Sequence, residues 1–138
     1  MKFGKSSFST LLVNEENYIL KISLNRPEKK NAIDPIMTNE FLYAINYAKQ
    51  NDSVRVIEIS AKGDVFCAGG DLGSMSGEKD SNVPDMKGTL ADIALSLNEL
   101  CKPVVTRIEG NVYAGALLLI CNSTHAYALN TEIGRAHV

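Results

Sequence analysis

Two glycine-containing segments hold the residues best suited to chemistry. The first, Phe66-Cys67-Ala68-Gly69-Gly70-Asp71-Leu72, follows a run rich in β-branched residues. Adjacent glycines accept positive φ and leave backbone N–H groups unshielded. Successive N–H groups in such a turn form an anion-binding concavity. The second, Gly110-Asn111-Val112-Tyr113-Ala114-Gly115-Ala116, lies between a predicted strand and a predicted helix. A helix N-terminus there offers free N–H groups and a partial positive charge. Either segment alone also reads as a tight turn packed on a sheet. Two such turns, each after a strand, are able to aim one N–H each at a single oxygen. That is an oxyanion hole, suited to a thioester carbonyl becoming an enolate or a tetrahedral oxyanion.

The elements that must position these turns follow from pattern. Phe8–Val13 and Tyr18–Leu24 are predicted strands, with Asn14-Glu15-Glu16-Asn17 as the turn between them. Pro27 removes a ladder donor and ends the second strand. Asp34-Pro35 opens a helix, with Asp34 as N-cap and Pro35 at the first helical position. Met37, Phe41, Ile45 and Ala48 recur at helical spacing and mark its buried face. Val54–Ser60 is a buried strand and Ala61–Gly77 a loop. A second helix is expected over about Asp85–Leu100, with Leu90, Ile93, Ala94 and Leu97 on one face. Pro103–Ile108 is the next strand, Gly115–Cys121 the start of a helix and His125–Leu129 a short strand. Strands alternating with helices give an α/β layered fold.

Bulk composition narrows the function classes. The chain has 138 residues, 45% apolar and 22% charged, with a formal net charge of −2. No basic face for nucleic acid is present, so no nucleic-acid partner is expected. No run reaches the roughly 18 apolar residues of a membrane span, and no membrane association is expected. Met1–Ser9 lacks the apolar core of a signal peptide. Cys67, Cys101 and Cys121 are an odd count without C-x-x-C spacing, which argues against a disulfide framework or a zinc site. A reducing cytoplasm is the expected setting, and no metal is expected.

With these segments in view, a resemblance becomes plain. Asn25-Arg26-Pro27, Asn31-Ala32, the FCAGGDL segment, Lys102-Pro103-Val104-Val105, Gly110 and Ala114-Gly115-Ala116 resemble the enoyl-CoA hydratase/isomerase (crotonase) superfamily in order and spacing. The resemblance runs from Phe8 to about Leu129. It implies the crotonase-like β-β-α spiral core and an acyl-CoA thioester as ligand, coenzyme A being part of the substrate and no separate cofactor. It further implies that the backbone N–H groups of Ala68 and Gly115 form the oxyanion hole. Lys30 to Ala32 and Ala68, Gly69, Gly70, Asp71 and Leu72 would line the coenzyme A site. Lys29 or Lys30 either meets a phosphate or is a solvated loop charge. Asp71 either orders its own loop or meets the ligand. Tyr113 is read as an acyl-pocket residue or a core aromatic, and Leu118 is placed in the substrate pocket.

The same resemblance shows where this sequence departs. Family hydratases use two glutamates as general acid and base, the first three residues after the oxyanion-hole glycine. Here that position is Leu118, which cannot carry a proton. Some family isomerases also have an apolar residue there and move a proton with one carboxylate. Glu109 and Asp64 are expected at the surface or as caps. His125 is expected to be a satisfied structural histidine, Cys67 a packing residue without a partner base, and Cys121 a core residue.

The family is roughly twice as long as this chain. Residues 1–131 are therefore expected to be an incomplete acyl-CoA-binding domain, lacking the second carboxylate and the helical part that supports trimer-based homo-oligomers. One reverse translation of Ile133-Gly134-Arg135-Ala136-His137-Val138 is ATC GGA AGA GCA CAC GTC, the start of a common sequencing adapter. The expectation is that 132–138 is a non-native read-through tail and that this chain alone is inactive.

Overall fold

A computed structural model describes residues 8–70, 83–113 and 116–128, without the side chains of residues 117 and 118. A five-stranded sheet in the order β1-β2-β3-β5-β7 is its frame, beside a two-stranded sheet of β4 and β6. The strands are β1 Leu11–Glu16, β2 Ile19–Leu24, β3 Val56–Ala61, β4 Val65–Cys67, β5 Val104–Ile108, β6 Asn111–Val112 and β7 His125–Ala128. The helices are α1 Pro35–Gln50, α2 Leu90–Glu99 and α3 Leu117–Cys121. Among the described residues only β1 and β2 pair antiparallel; every other pairing there is parallel. Parallel neighbours need crossovers, and α1 supplies the one from β2 to β3. The fold is α/β. Among the described residues no helix is long and apolar enough to cross a membrane.

Period-two alternation explains the layering. Leu20, Ile22 and Leu24 of β2 and Ile57 and Ile59 of β3 are fully buried, while their alternates face outward. The predicted face of α1 is buried as expected, with Met37, Phe41 and Ala48 at 0% exposure. Asp34 caps that helix by accepting the Met37 N–H at 2.7 Å. Glu40 is also fully buried on α1. Its carboxylate accepts the Ser9 N–H at 2.7 Å, the Thr10 N–H at 2.8 Å and the Thr10 hydroxyl at 2.5 Å. These bonds tie the start of β1 to α1.

Four boundaries differ from the sequence expectation. The hairpin turn is not Asn14–Asn17, because β1 runs on through Glu16. Asn17 and Tyr18 turn the chain instead, both at positive φ (52° and 67°). A two-residue loop with both residues left-handed matches the twist of the strands it joins. The Tyr18 carbonyl accepts the N–H groups of Arg55 and Val56 at 2.7 and 3.2 Å, and the Arg55 guanidinium lies 4.4 Å from the Tyr18 ring centroid. The expected loop over 61–77 contains β4, and the turn after Gly110 contains β6. Helix α2 starts at Leu90, later than expected, because the Thr89 N–H and hydroxyl both donate to the Asp92 carboxylate and fix its first turn there.

Candidate active site

Three segments converge beside β4. The first is residues 26–34. A single 3-10 turn, Pro27–Lys29, is followed by Lys30 and Asn31, both left-handed at φ 53° and 56°. Asparagine tolerates that region better than most residues. The Asn31 side chain is fully buried and does three jobs. Its Oδ1 accepts the Arg26 N–H at 2.8 Å, and its Nδ2 donates to the carbonyls of Lys62 and Val65 at 2.6 and 2.9 Å. Buried Arg26 donates to the Ala32 carbonyl at 2.5 Å and lies 3.5 Å from the Asp34 carboxylate. Asp34 thus caps α1 and neutralises Arg26 together.

The second segment is β4 and the turn behind it. The Cys67–Ala68 peptide is held on both edges. The Cys67 carbonyl accepts the Tyr113 N–H at 3.0 Å, and the Ala68 N–H donates to the Lys30 carbonyl at 3.0 Å. The next N–H, that of Gly69, points to the Cys67 sulfur at 3.4 Å. The Gly69 carbonyl accepts the Ile33 N–H at 2.8 Å. Among the described residues no peptide is cis, and a trans peptide sets N–H and C=O in opposite directions. The Gly70 N–H therefore points away from Ile33. Nothing among the described residues accepts it. Gly70 is exposed, and a Cβ added there would meet nothing within 4 Å.

Cys67 is fully buried. Its thiol donates to the Asn31 carbonyl at 3.2 Å, and burial pushes its pKa up to about 11, against the opposing Gly69 N–H. A thiol so held is neutral and unreactive, a packing residue as expected.

The third segment is residues 110–113. Gly110 permits β6 to lie against β4: a Cβ there would strike the Asp64 carbonyl oxygen and stand 2.9 Å from the Phe66 nitrogen. Tyr113 is half-buried, with its hydroxyl 3.4 Å from the Asn111 side-chain amide.

The expected site residues are thus only partly brought together. Lys30, Ala32, Ala68, Gly69, Gly70 and Tyr113 surround β4, with Lys30 and Lys29 exposed and Ala32 half-buried. Gly115, Asp71 and Leu72 lie outside the described residues, as do residues 129–138, including the tail at 132–138. Leu118 is on α3, its side chain outside the description. The Ala68 N–H, expected as an oxyanion donor, is bonded inside the protein, because the left-handed Lys30 turns its carbonyl onto it. Asn31 and Arg26 were legible as motif residues, but their work as cross-ties was not. Glu109 is at the surface as expected, 3.2 Å from Arg107. His125 is exposed rather than a satisfied structural histidine, and Cys121 is exposed rather than core. The exposure of His125 follows from β7 being the outermost strand among the described residues, with all four of its residues exposed, and Cys121 ends α3.

Fold and site together define an α/β chain that gathers turns of free or clamped backbone amides beside a parallel strand pair. The sequence profile of the family described as enoyl-CoA hydratase/isomerase matches residues 14–133, and the chain belongs to that family. It is 37% identical over 113 residues to a trans-2-decenoyl-(acyl-carrier-protein) isomerase of Streptococcus mutans, covering 79% of this chain and 43% of that protein. It is 30% identical over 129 residues to the mitochondrial enoyl-CoA hydratase domain-containing protein 3 of Danio rerio, covering 93% and 45%. A crystal structure of an enoyl-CoA hydratase from Mycobacterium smegmatis superposes with a TM-score of 0.75 at 28% identity, over 87% of this chain and 48% of that one. The chain spans about half the length of the curated relatives it matches.

Proposed function

We propose that the protein binds an acyl thioester and stabilises its enolate with two backbone N–H groups, those of Gly70 and Gly115. The observation that carries this reading is the contrast between two peptides in the turn behind β4. Ala68 spends its N–H on Lys30, and Gly70 presents its own without an acceptor among the described residues. An unshielded N–H held by its peptide plane is preorganised for a developing oxyanion. Gly115 enters by the family resemblance. The thioester arm would run past Lys30–Ala32 and the turn at 69–72. Coenzyme A is the expected carrier, and an acyl-carrier protein, named for the Streptococcus relative, offers the same thioester.

For the whole protein the favoured reaction is double-bond migration. Leu118 stands where family hydratases place an acid, and the Streptococcus relative is an isomerase. A single carboxylate suffices. It takes a proton from C2 of a 3-enoyl thioester, the thioester oxygen carries the charge as a dienolate, and the same proton returns at C4 to give the 2-enoyl product. Hydration through the same enolate is the other family reaction. A second reading, an acyl-thioester binder without turnover, is supported for this chain by the state of four of its described acids. Asp34 and Glu40 are buried in structural bonds, and Glu58 and Glu109 lie beside Arg107.

The test is incubation of the whole protein with 2-enoyl- and 3-enoyl-CoA, with binding followed by calorimetry and products by chromatography. The isomer without 3-hydroxyacyl product supports migration, and hydrate alone refutes it. Binding with neither product supports the binder. Neither binding nor product overturns both readings.

A further inference from the structure

We propose that Cys67 is a positioning residue: its sulfur joins two buried backbone groups and so sets the direction in which the turn at 68–70 offers the Gly70 N–H. The inference rests on the reading of Gly70 as an oxyanion donor. It starts from the partners of the main chain. Gly69 and Asn31 are both buried, and a buried N–H or C=O needs a hydrogen-bond partner. Among the described residues, the Gly69 N–H has one acceptor, the Cys67 sulfur at 3.4 Å. The Asn31 carbonyl has one donor there, the Cys67 thiol at 3.2 Å. One side chain thus satisfies two main-chain groups on two different segments.

The place of these bonds gives them their use. On one side of them the Ala68 N–H donates to the Lys30 carbonyl at 3.0 Å, and on the other the Ile33 N–H donates to the Gly69 carbonyl at 2.8 Å. The sulfur fills the gap between these two backbone bonds. Gly69 lies at φ 94°, and glycine has many other conformations open to it. Two peptide planes meet at its Cα. Ile33 holds the plane that carries the Gly70 N–H, and the sulfur holds the plane before it. Releasing the second plane frees the first to swing about the Gly69 Cα, and a misplacement of about 1 Å at a catalytic group costs up to roughly 10²-fold in rate.

The side-chain chemistry agrees. A thiol both donates and accepts, weakly in each direction. It donates only while protonated, and burial raises the Cys67 pKa to about 11, so the proton is in place at neutral pH. Alanine would leave the Gly69 N–H and the Asn31 carbonyl buried and unpaired. Serine keeps one donor and one acceptor on a shorter bond. Valine fills the space of the thiol and makes neither bond. Hydrogen bonding and packing therefore predict different orders among the three variants.

The test compares wild type, Cys67→Ala, Cys67→Ser and Cys67→Val in the whole protein. It reads amide exchange at Gly69, and kcat and KM for isomerisation of a 3-enoyl-CoA. In the alanine variant, exchange at Gly69 should quicken by about tenfold. Its kcat should fall about fivefold, the size two weak bonds supply, with KM held within about twofold, as for a contribution made in the transition state. Serine should recover most of both losses, whereas a packing role predicts serine no better than alanine. Valine should match alanine, and it carries the comparison if alanine does not fold. Unchanged Gly69 exchange in the alanine or valine variant, an unchanged kcat there while wild type turns over, or serine no better than alanine would each overturn the proposal. A wild type without isomerisation refutes double-bond migration instead, and Gly69 exchange across the three variants then decides the positioning by itself.

Discussion

Replacing Asn31 by alanine tests how the 26–34 segment is held against β4. Three hydrogen bonds of 2.8, 2.6 and 2.9 Å disappear with the side chain. A typical bond contributes about 1 kcal/mol net, which gives about 3 kcal/mol. Asn31 also sits at φ 56°, and alanine in that region costs roughly 1 kcal/mol more. The Lys62 carbonyl belongs to an exposed residue and regains water, so the expected loss is about 2–4 kcal/mol. Urea denaturation of wild type and Asn31→Ala measures it. Asn31→Gly separates the two contributions, since glycine accepts positive φ freely and should lie about 1 kcal/mol above the alanine variant. Asn31→Asp keeps the acceptor for the Arg26 N–H but sets a carboxylate oxygen against two carbonyls, and should be no better than alanine. Amide exchange at Ala68 should quicken in all three as the Lys30 carbonyl loosens. An alanine variant within about 0.5 kcal/mol of wild type, the range of ordinary surface changes, refutes this account of the cross-tie.

Gly110→Ala forces a methyl into the backbone at Asp64 and Phe66; overpacking of this kind costs about 1–3 kcal/mol, and loss of protection at the Tyr113 N–H in hydrogen exchange would show that the β4–β6 pairing has opened. Glu40→Gln turns an amide –NH₂ towards N–H donors at Ser9 and Thr10; a destabilisation of about 2–4 kcal/mol is expected, and a neutral result in urea denaturation contradicts the buried anchor. Cys67 gives a pH signature. Its folded pKa of about 11 stands above the ordinary 9.0, so its contribution is whole below pH 9 and fades as pH rises towards 11, where the unfolded chain alone ionises. That is worth about 1.4 kcal/mol per pH unit across the window. Subtracting the stability profile of Cys67→Ala should isolate the slope, and parallel profiles would contradict it.

Much of this architecture was written locally. Asp34-Pro35 specifies a helix start through one capping carboxylate and one fixed φ, and both act there as read. Strands β2, β3 and β5 declare themselves by β-branched alternation. The hairpin was misplaced because Asn14–Asn17 looks like a turn by composition, whereas pairing with β2 holds Asn14–Glu16 in the strand and leaves Asn17 and Tyr18 to turn. Strands β4 and β6 have three and two residues, too few to show a period. The anchoring role of Glu40 leaves no local signal, because its donors at Ser9 and Thr10 lie about thirty positions away. The glycine turn at 68–70 was legible as an amide-bearing loop. Which amide is free was not, since that depends on a carbonyl of Lys30 and an N–H of Ile33. Exposure of Cys121 and His125 turns on what packs over the end of α3 and over β7, which no local pattern encodes.

The central claim is that Gly70, and not Ala68, offers its N–H to the thioester oxygen. The direct measurement is titration of the ¹⁵N-labelled chain with an acyl-CoA, following both amide resonances and their hydrogen exchange. The Gly70 amide should shift downfield with saturating ligand and become protected, while Ala68 stays protected throughout with little shift. A shift centred on Ala68, with loss of its bond to Lys30 and an unmoved Gly70, would contradict the account.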